Sequence, residues 1–197
     1  WYPECPGRWV AEATWPSPGL EEHLLHLGVD GLSEAPGDQG SLSHGSPQTV
    51  GLAAGEWCPY GTGGTGPEFP GDQRRDDARS LTFDSAPLPD RLEILGAPVL
   101  HLELTVDRPR AFVAVRLNDV KPDGSATRVT FGLLNLCHRD GHETPALLEP
   151  GRRYTVAMQL NDAAYAFAAG HRLRVSLSTT YWPMVWPSPE AATLTVF

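Results

Sequence analysis

The stretch that decides the fold runs from Asp119 to Pro183. It opens with DVKPDGSATRVTFG (119–132) and closes with LEPGRRYTVAMQLNDAAYAFAAGHRLRVSLSTTYWP (148–183). Apolar and β-branched residues alternate, and the alternation is broken at Pro122-Asp123-Gly124, at Glu149-Pro150-Gly151 and at Ala169-Gly170. That spacing belongs to short antiparallel strands. Pro122 fixes φ and Gly124 supplies a positive φ, so the first break is a hairpin turn with a mechanism. No catalytic motif lies within the ladder.

Working outward, the strand pattern holds from residue 79 to the end. The expected strands are Ser80–Phe83, Arg91–Leu95, Pro98–Val106, Ala111–Leu117, Thr127–Leu136, Arg153–Leu160, His171–Thr179 and Thr193–Phe197. Eight strands at this density predict a two-sheet sandwich, and nothing shows the strand–helix alternation of a parallel sheet. Composition agrees: 20 Gly and 19 Pro in 197 residues suit a loop-rich all-β chain and penalise long helices.

Toward the N-terminus the pattern changes. Residues 8–27 read as extended, with Trp9, Ala11, Ala13 and Trp15 on one side, and GLEEHLLHL (19–27) reads as a strand in preference to a short helical turn. Residues 28–78 are dense in Gly, Pro, Ser and Asp and carry almost no apolar period. A structureless stretch of that length is uncommon in a compact domain. With Trp57, Tyr60 and Phe69 in it, it is expected to dock on another surface. The organisation read from this is one sandwich domain over 1–197: entry strands over 1–30, an irregular docking arm over 28–78, and the sandwich core over 79–197.

The net charge of −9, from 15 basic and 24 acidic residues, repels phosphate backbones and anionic membranes. No apolar run approaches a membrane span. The opening WYPECPGRWV lacks a Met and reads as cut from something longer. Cys5, Cys58 and Cys137 form no close pair, which points to free thiols and a cytoplasmic setting.

Five clusters carry candidate chemistry. Ser41-Leu42-Ser43-His44-Gly45 half resembles a nucleophile elbow but lacks the flanking strand and helix, so it reads as a loop. Cys137-His138-Arg139-Asp140-Gly141-His142-Glu143 has metal-like composition, with His138 and His142 as the candidate ligands. Asp140-Gly141 makes it a turn, so the spacing does not require the imidazoles to converge. In Gly170-His171-Arg172-Leu173-Arg174, alternation sets Arg172 and Arg174 on one face and His171, Leu173 and Val175 on the other. The reading is a hydrogen-bonded His and two edge arginines, able to clamp a carboxylate. Asp72, Asp76, Asp77, Asp119 and Asp123 could supply calcium oxygens, yet match no loop motif. Trp9, Trp57, Tyr181, Trp182 and Trp186 are the interface candidates, since Trp, Tyr and Met concentrate where domains meet. No catalytic residue, cofactor or metal is expected.

Several segments together resemble a known family. They are Gly71-Asp72-Gln73-Arg74-Arg75-Asp76 with Arg79-Ser80-Leu81-Thr82-Phe83; Asn118-Asp119-Val120-Lys121-Pro122-Asp123-Gly124; Leu148-Glu149-Pro150-Gly151; Gly170 to Arg174; and Ser178-Thr179-Thr180-Tyr181-Trp182-Pro183. In order and spacing they resemble the C-terminal domain of the X-Pro dipeptidyl-peptidase and cocaine-esterase (CocE/NonD) hydrolases. Residues 8–16 resemble the strand by which such a chain leaves its hydrolase domain. The resemblance implies a jelly-roll sandwich of galactose-binding-like type. It also implies an N-terminal α/β-hydrolase domain as partner in the same parent chain, with a homodimer as a further possibility. The expected work is structural: packing on the catalytic domain and shaping its substrate entrance. The rival reading is a carbohydrate-binding module, which would need coplanar exposed rings.

Overall fold

Nine consecutive buried residues, Phe112–Val120, form the middle of the molecule. The computed structural model describes residues 7–37, 40–58 and 69–197. In chain order its strands are β1 (His26–Gly28), β2 (Gly31–Ser33), β3 (Leu42–His44), β4 (Leu81–Asp84), β5 (Leu92–Gly96), β6 (Val99–Val106), β7 (Phe112–Val120), β8 (Ala126–Asn135), β9 (Tyr154–Gln159), β10 (Ala163–Phe167), β11 (Arg172–Ser178) and β12 (Leu194–Val196). One single-turn helix, α1 (Arg74–Asp77), precedes β4, and a 3-10 turn spans Leu136–His138.

Two four-stranded antiparallel sheets make the sandwich, in the orders β4-β11-β7-β8 and β3-β12-β6-β9. Ranked from first to eighth along the chain, these strands read 2-7-4-5 in one sheet and 1-8-3-6 in the other. First pairs with eighth and second with seventh, so the chain is wound as a folded-over hairpin, the jelly-roll order. The turn at Gly124 links β7 to β8. Beyond it Leu117 pairs Thr130 but Asn118 pairs Arg128, leaving Val129 as a bulge. Two small ribbons, β1-β2 and β5-β10, lie beside the sandwich.

The core explains the two kinds of strand. Val113, Val115 and Leu117 of β7, Leu173 and Leu177 of β11, and Phe83 of β4 face Leu102, Leu104, Val106, Val156, Met158, Leu194 and Val196 of the other sheet. Each buried side chain of this size contributes about 1.5–3 kcal/mol. In β9, buried and exposed residues alternate strictly, because that sheet's other face meets solvent. In β7 nothing is exposed, because a third layer covers the outer face of its sheet. Val50 and Ala54 pack there on Phe112 and Ala114, together with Tyr181 and Met184.

The structure departs from the sequence reading in several places. The segment 8–16 forms no strand and lies exposed, because its alternating side has no strand of this chain alongside. The arm read as irregular holds β2, β3 and α1, elements too short to show a period, and its residues around Val50 and Gln73 lie on this chain's own sheet. Ser41–Gly45, read as a loop, contains edge strand β3. β10 was not expected, since Ala-Ala-Tyr-Ala-Phe does not alternate. Tyr60 and Cys5 lie outside the described residues.

Candidate functional site

The outer face of the β7 sheet carries two cross-strand pairs side by side: Arg116 opposite Ser176, and Asn118 opposite Arg174. Directly opposed side chains in an antiparallel pair share one face, so four donors form a square. Asp77, the last residue of α1, sits over it. Its carboxylate accepts from Ser176 Oγ at 2.8 Å, Asn118 Nδ2 at 3.0 Å, Arg116 Nη2 at 3.1 Å and Arg174 Nη1 at 3.2 Å. Arg116 has no exposed side-chain surface and its guanidinium lies 5.2 Å from the Tyr181 ring centre. Arg174 also makes a two-pronged contact with Asp84, at 2.6 and 2.7 Å. Those bonds raise its pKa far above the usual range, outweighing the burial that lowers it. Two arginines thus meet two aspartates in one network.

The residues before Asp77 fasten the third layer. Gln73 Nε2 donates to the Ala53 and Gly71 carbonyls at 2.8 and 2.7 Å, and Asp76 Oδ2 accepts the Ala53 amide at 3.0 Å. Asp72 accepts the Arg74 and Ala126 amides at 3.0 and 3.2 Å. Burial pushes the Asp72 carboxyl up, but its bonds to Arg74 and Ala126 win and hold it below the ordinary carboxylate range. Asp119 is engaged with His171 Nδ1 at 2.8 Å and Tyr165 OH at 2.9 Å, and Asp123 with Ser125. Every aspartate of the calcium candidate set therefore has a partner within the chain. Among the described residues no group of three potential ligands is arranged for a metal.

The fastened layer turns aromatic side chains outward. Tyr181 is 1% exposed, sealed in the second cluster and bonded by Arg128. Of the interface candidates it is the one enclosed by its own chain. Trp182 follows it. The Trp182 amide donates to Val50 O at 3.1 Å, and Gly51 approaches so closely that a Cβ there would lie 2.0 Å from Trp182 O. Trp182 is 39% exposed and Trp186 79%, with ring centres 5.0 Å apart and planes at 64°. Leu52, Trp57 and Phe69 are exposed as well, as is Trp9 on the N-terminal segment. Rings at 64° make no flat platform for a sugar, which weighs against the carbohydrate reading. Beside Trp186 a groove of about 400 Å³ runs between Leu147, Cys137, His138 and Pro187.

The chemistry-bearing residues are otherwise occupied. Ser43 Oγ pairs with Thr195 Oγ1 at 2.7 Å, and His44 Nε2 with the Arg79 carbonyl at 2.8 Å. The two arginines do not act as a pair: Arg174 holds this chain's own Asp84 and Asp77, while Arg172 donates to Ser85 O. His138 and His142, which the turn did not oblige to meet, stand Nδ1 to Nδ1 at 3.1 Å. The Asp77 square escaped sequence reading because its members are far apart in the chain. The polar residues inside two apolar strands, Arg116 and Asn118 in β7 and Arg174 and Ser176 in β11, were the available signal.

The architecture is an all-β jelly-roll, a fold that many unrelated domains share. Comparison with known proteins identifies which: residues 3–197 match the X-Pro dipeptidyl-peptidase C-terminal non-catalytic domain, and the chain belongs to that family. It is 28% identical over 189 residues to the cocaine esterase of Rhodococcus sp. (strain MB1 Bresler), covering 89% of this chain and 33% of the esterase. The chain thus spans about a third of the length of that curated relative. Its fold is similar to that of an aminopeptidase from a marine sediment Thaumarchaeota archaeon, with a TM-score of 0.76 at 21% identity over 88% of this chain and 34% of that one. It is also similar to an α-amino acid ester hydrolase, with a TM-score of 0.73 at 24% identity, over 88% of this chain and 33% of that one.

Proposed function

We propose that this chain is the non-catalytic C-terminal sandwich of a larger serine hydrolase of the dipeptidyl-peptidase or acyl-esterase type. It packs on an α/β-hydrolase domain of the same parent and helps wall the substrate entrance. The parent cleaves an ester or amide through an acyl-enzyme. Residues 1–30 carry the chain in from the hydrolase domain, residues 28–78 form the docking arm, and residues 79–197 the sandwich core. The free thiols of Cys58 and Cys137 suit a cytoplasmic parent. Among the described residues, no helix is long and apolar enough to cross a membrane.

One observation carries the reading. The buried polar residues serve to hold a layer whose outward products are Trp182 and Trp186, exposed aromatics of the kind that anchor domain interfaces. The test is turnover of p-nitrophenyl esters by the 197-residue chain. None is expected; activity that disappears in Ser43→Ala would overturn the proposal.

A further inference from the structure

The loop after β8 brings two imidazoles together at the surface. Its base is braced. Asn135 Oδ1 accepts the Cys137 amide at 3.0 Å, and the Ala146 amide donates to Cys137 O at 2.9 Å. Arg139 Nη1 donates to Leu136 O and Ala146 O at 3.1 and 3.0 Å, with its guanidinium 4.6 Å from the Tyr154 ring centre. Gly141, at φ +130°, bends the chain back so that its amide donates to His138 O at 3.0 Å. Few other residues adopt that φ. The bend brings His142 Nδ1 to 3.1 Å from His138 Nδ1.

We infer that His138 and His142 form a two-imidazole chelate for a borderline divalent cation, copper(II), nickel(II) or zinc(II). Metal–nitrogen bonds of about 2.0–2.1 Å set two ligand nitrogens about 2.9 Å apart at a right angle and about 3.3 Å apart in a tetrahedron. The separation of 3.1 Å lies between these values, so the nitrogens are spaced for either geometry once each ring turns its lone pair about 35–45° off the line joining them. Imidazole suits these three ions, whereas magnesium and calcium take oxygen ligands. Between two neutral rings, this contact is one Nδ1–H donating to the other Nδ1. On binding, that proton leaves Nδ1 while solvent protonates Nε2 of the same ring, so the proton count is unchanged and both Nδ1 lone pairs face the metal. Water completes the coordination.

The brace separates this pair from two histidines that happen to lie close in a loose loop. The ligands are preorganised, and the ordering entropy of the loop is met in folding rather than on binding.

The experiment titrates zinc(II) and copper(II) into the 197-residue chain. Calorimetry should give saturable one-to-one binding, and the copper spectrum should show coupling to two nitrogens in electron paramagnetic resonance. Of the seven histidines, the ring signals of two should shift with zinc in NMR. Removing groups that merely orient a metal ligand weakens affinity about 10–100-fold, so losing a ligand itself should cost at least about tenfold. His138→Ala and His142→Ala should each show that loss, and His101→Ala should show none. Both loop residues are outside the core, so melting temperatures of the variants serve as the folding control. No shift and no heat, or zinc binding untouched by His142→Ala, overturns the assignment.

Discussion

Replacing Asp77 by Ala removes the acceptor on which four side chains converge, and its consequence can be worked from the geometry. Arg116 would keep its charge with no exposed side-chain surface and, of its two recorded acceptors, only Ser80 Oγ at 2.8 Å. Breaking a buried ion pair from one side costs about 3–5 kcal/mol, mostly because the surviving charge is stranded. Arg174 loses little, because Asp84 still holds it at 2.6 and 2.7 Å. Asn118 and Ser176 each lose an acceptor, but these losses overlap with the first and do not add in full. A total near 4 kcal/mol is a large part of the roughly 5–15 kcal/mol that folds an ordinary domain.

Urea unfolding measures this directly. With a slope of about 2–3 kcal/mol per molar, the midpoint should fall by about 1.5 M without a change of slope. The melting temperature should drop by about 10 °C. The double variant Asp77→Ala with Arg116→Met is the decisive companion, since it removes the stranded charge and leaves an apolar side chain under the third layer. It should recover most of the loss. If Asp77→Ala costs less than about 1 kcal/mol, or the double variant is no more stable than the single one, the carboxylate is not what fastens α1 to the sheet.

Two further outcomes follow from the same layer. Gly51 has φ +111° and no room for a Cβ, whereas Gly124 has φ +82° with nothing within 4 Å of its would-be Cβ. Gly124→Ala should therefore cost about 1 kcal/mol from its backbone alone, and Gly51→Ala at least about 2 kcal/mol more. Equal melting temperatures for the two variants would refute the close approach to Trp182. Burial raises the Tyr181 pKa above its ordinary value of about 10. A pKa raised by folding contributes stability that is whole below the unfolded value and fades as pH climbs through the folded one. Urea midpoints should therefore fall above about pH 10 in the native chain and fall less in Tyr181→Phe; parallel declines would show that Tyr181 is not responsible.

The sandwich was legible because its strands obey a period of two. Thr155, Ala157 and Gln159 alternate with Tyr154, Val156 and Met158, so the expected Arg153–Leu160 differs from β9 by one residue at each end. The same rule failed where strands do not alternate: β10, Ala-Ala-Tyr-Ala-Phe, has no apolar–polar alternation, and the tripeptides β2 and β3 are too short to show a period. The site was harder to see than the fold. Asp77 lies 39 residues from Arg116 and 99 from Ser176, and only pairing of β7 with β11 makes them neighbours. The aromatic side chains were read as one interface set, but local sequence could not separate buried Tyr181 from exposed Trp182. Adjacent residues at a turn point to opposite sides, and the side that is covered depends on Val50 and Phe131 from elsewhere in the chain.

Charge on the covered face also has a logic. An apolar patch there would be at least as stabilising as an ion network, because taking charges out of water consumes much of their attraction. Leu or Val side chains, however, would accept the helix in several neighbouring positions, since apolar contact is not directional. Four donors fixed by two cross-strand pairs converge on one carboxylate at hydrogen-bond length, and directional bonds of this kind favour one placement of α1. From α1 the constraint passes through Gln73 and Asp76 to Ala53, and from the adjoining Val50 carbonyl to the Trp182 amide. The network thus helps set where Trp182 and Trp186 stand, and the docking surface proposed above rests on that placement more than on a further few kcal/mol of folding energy.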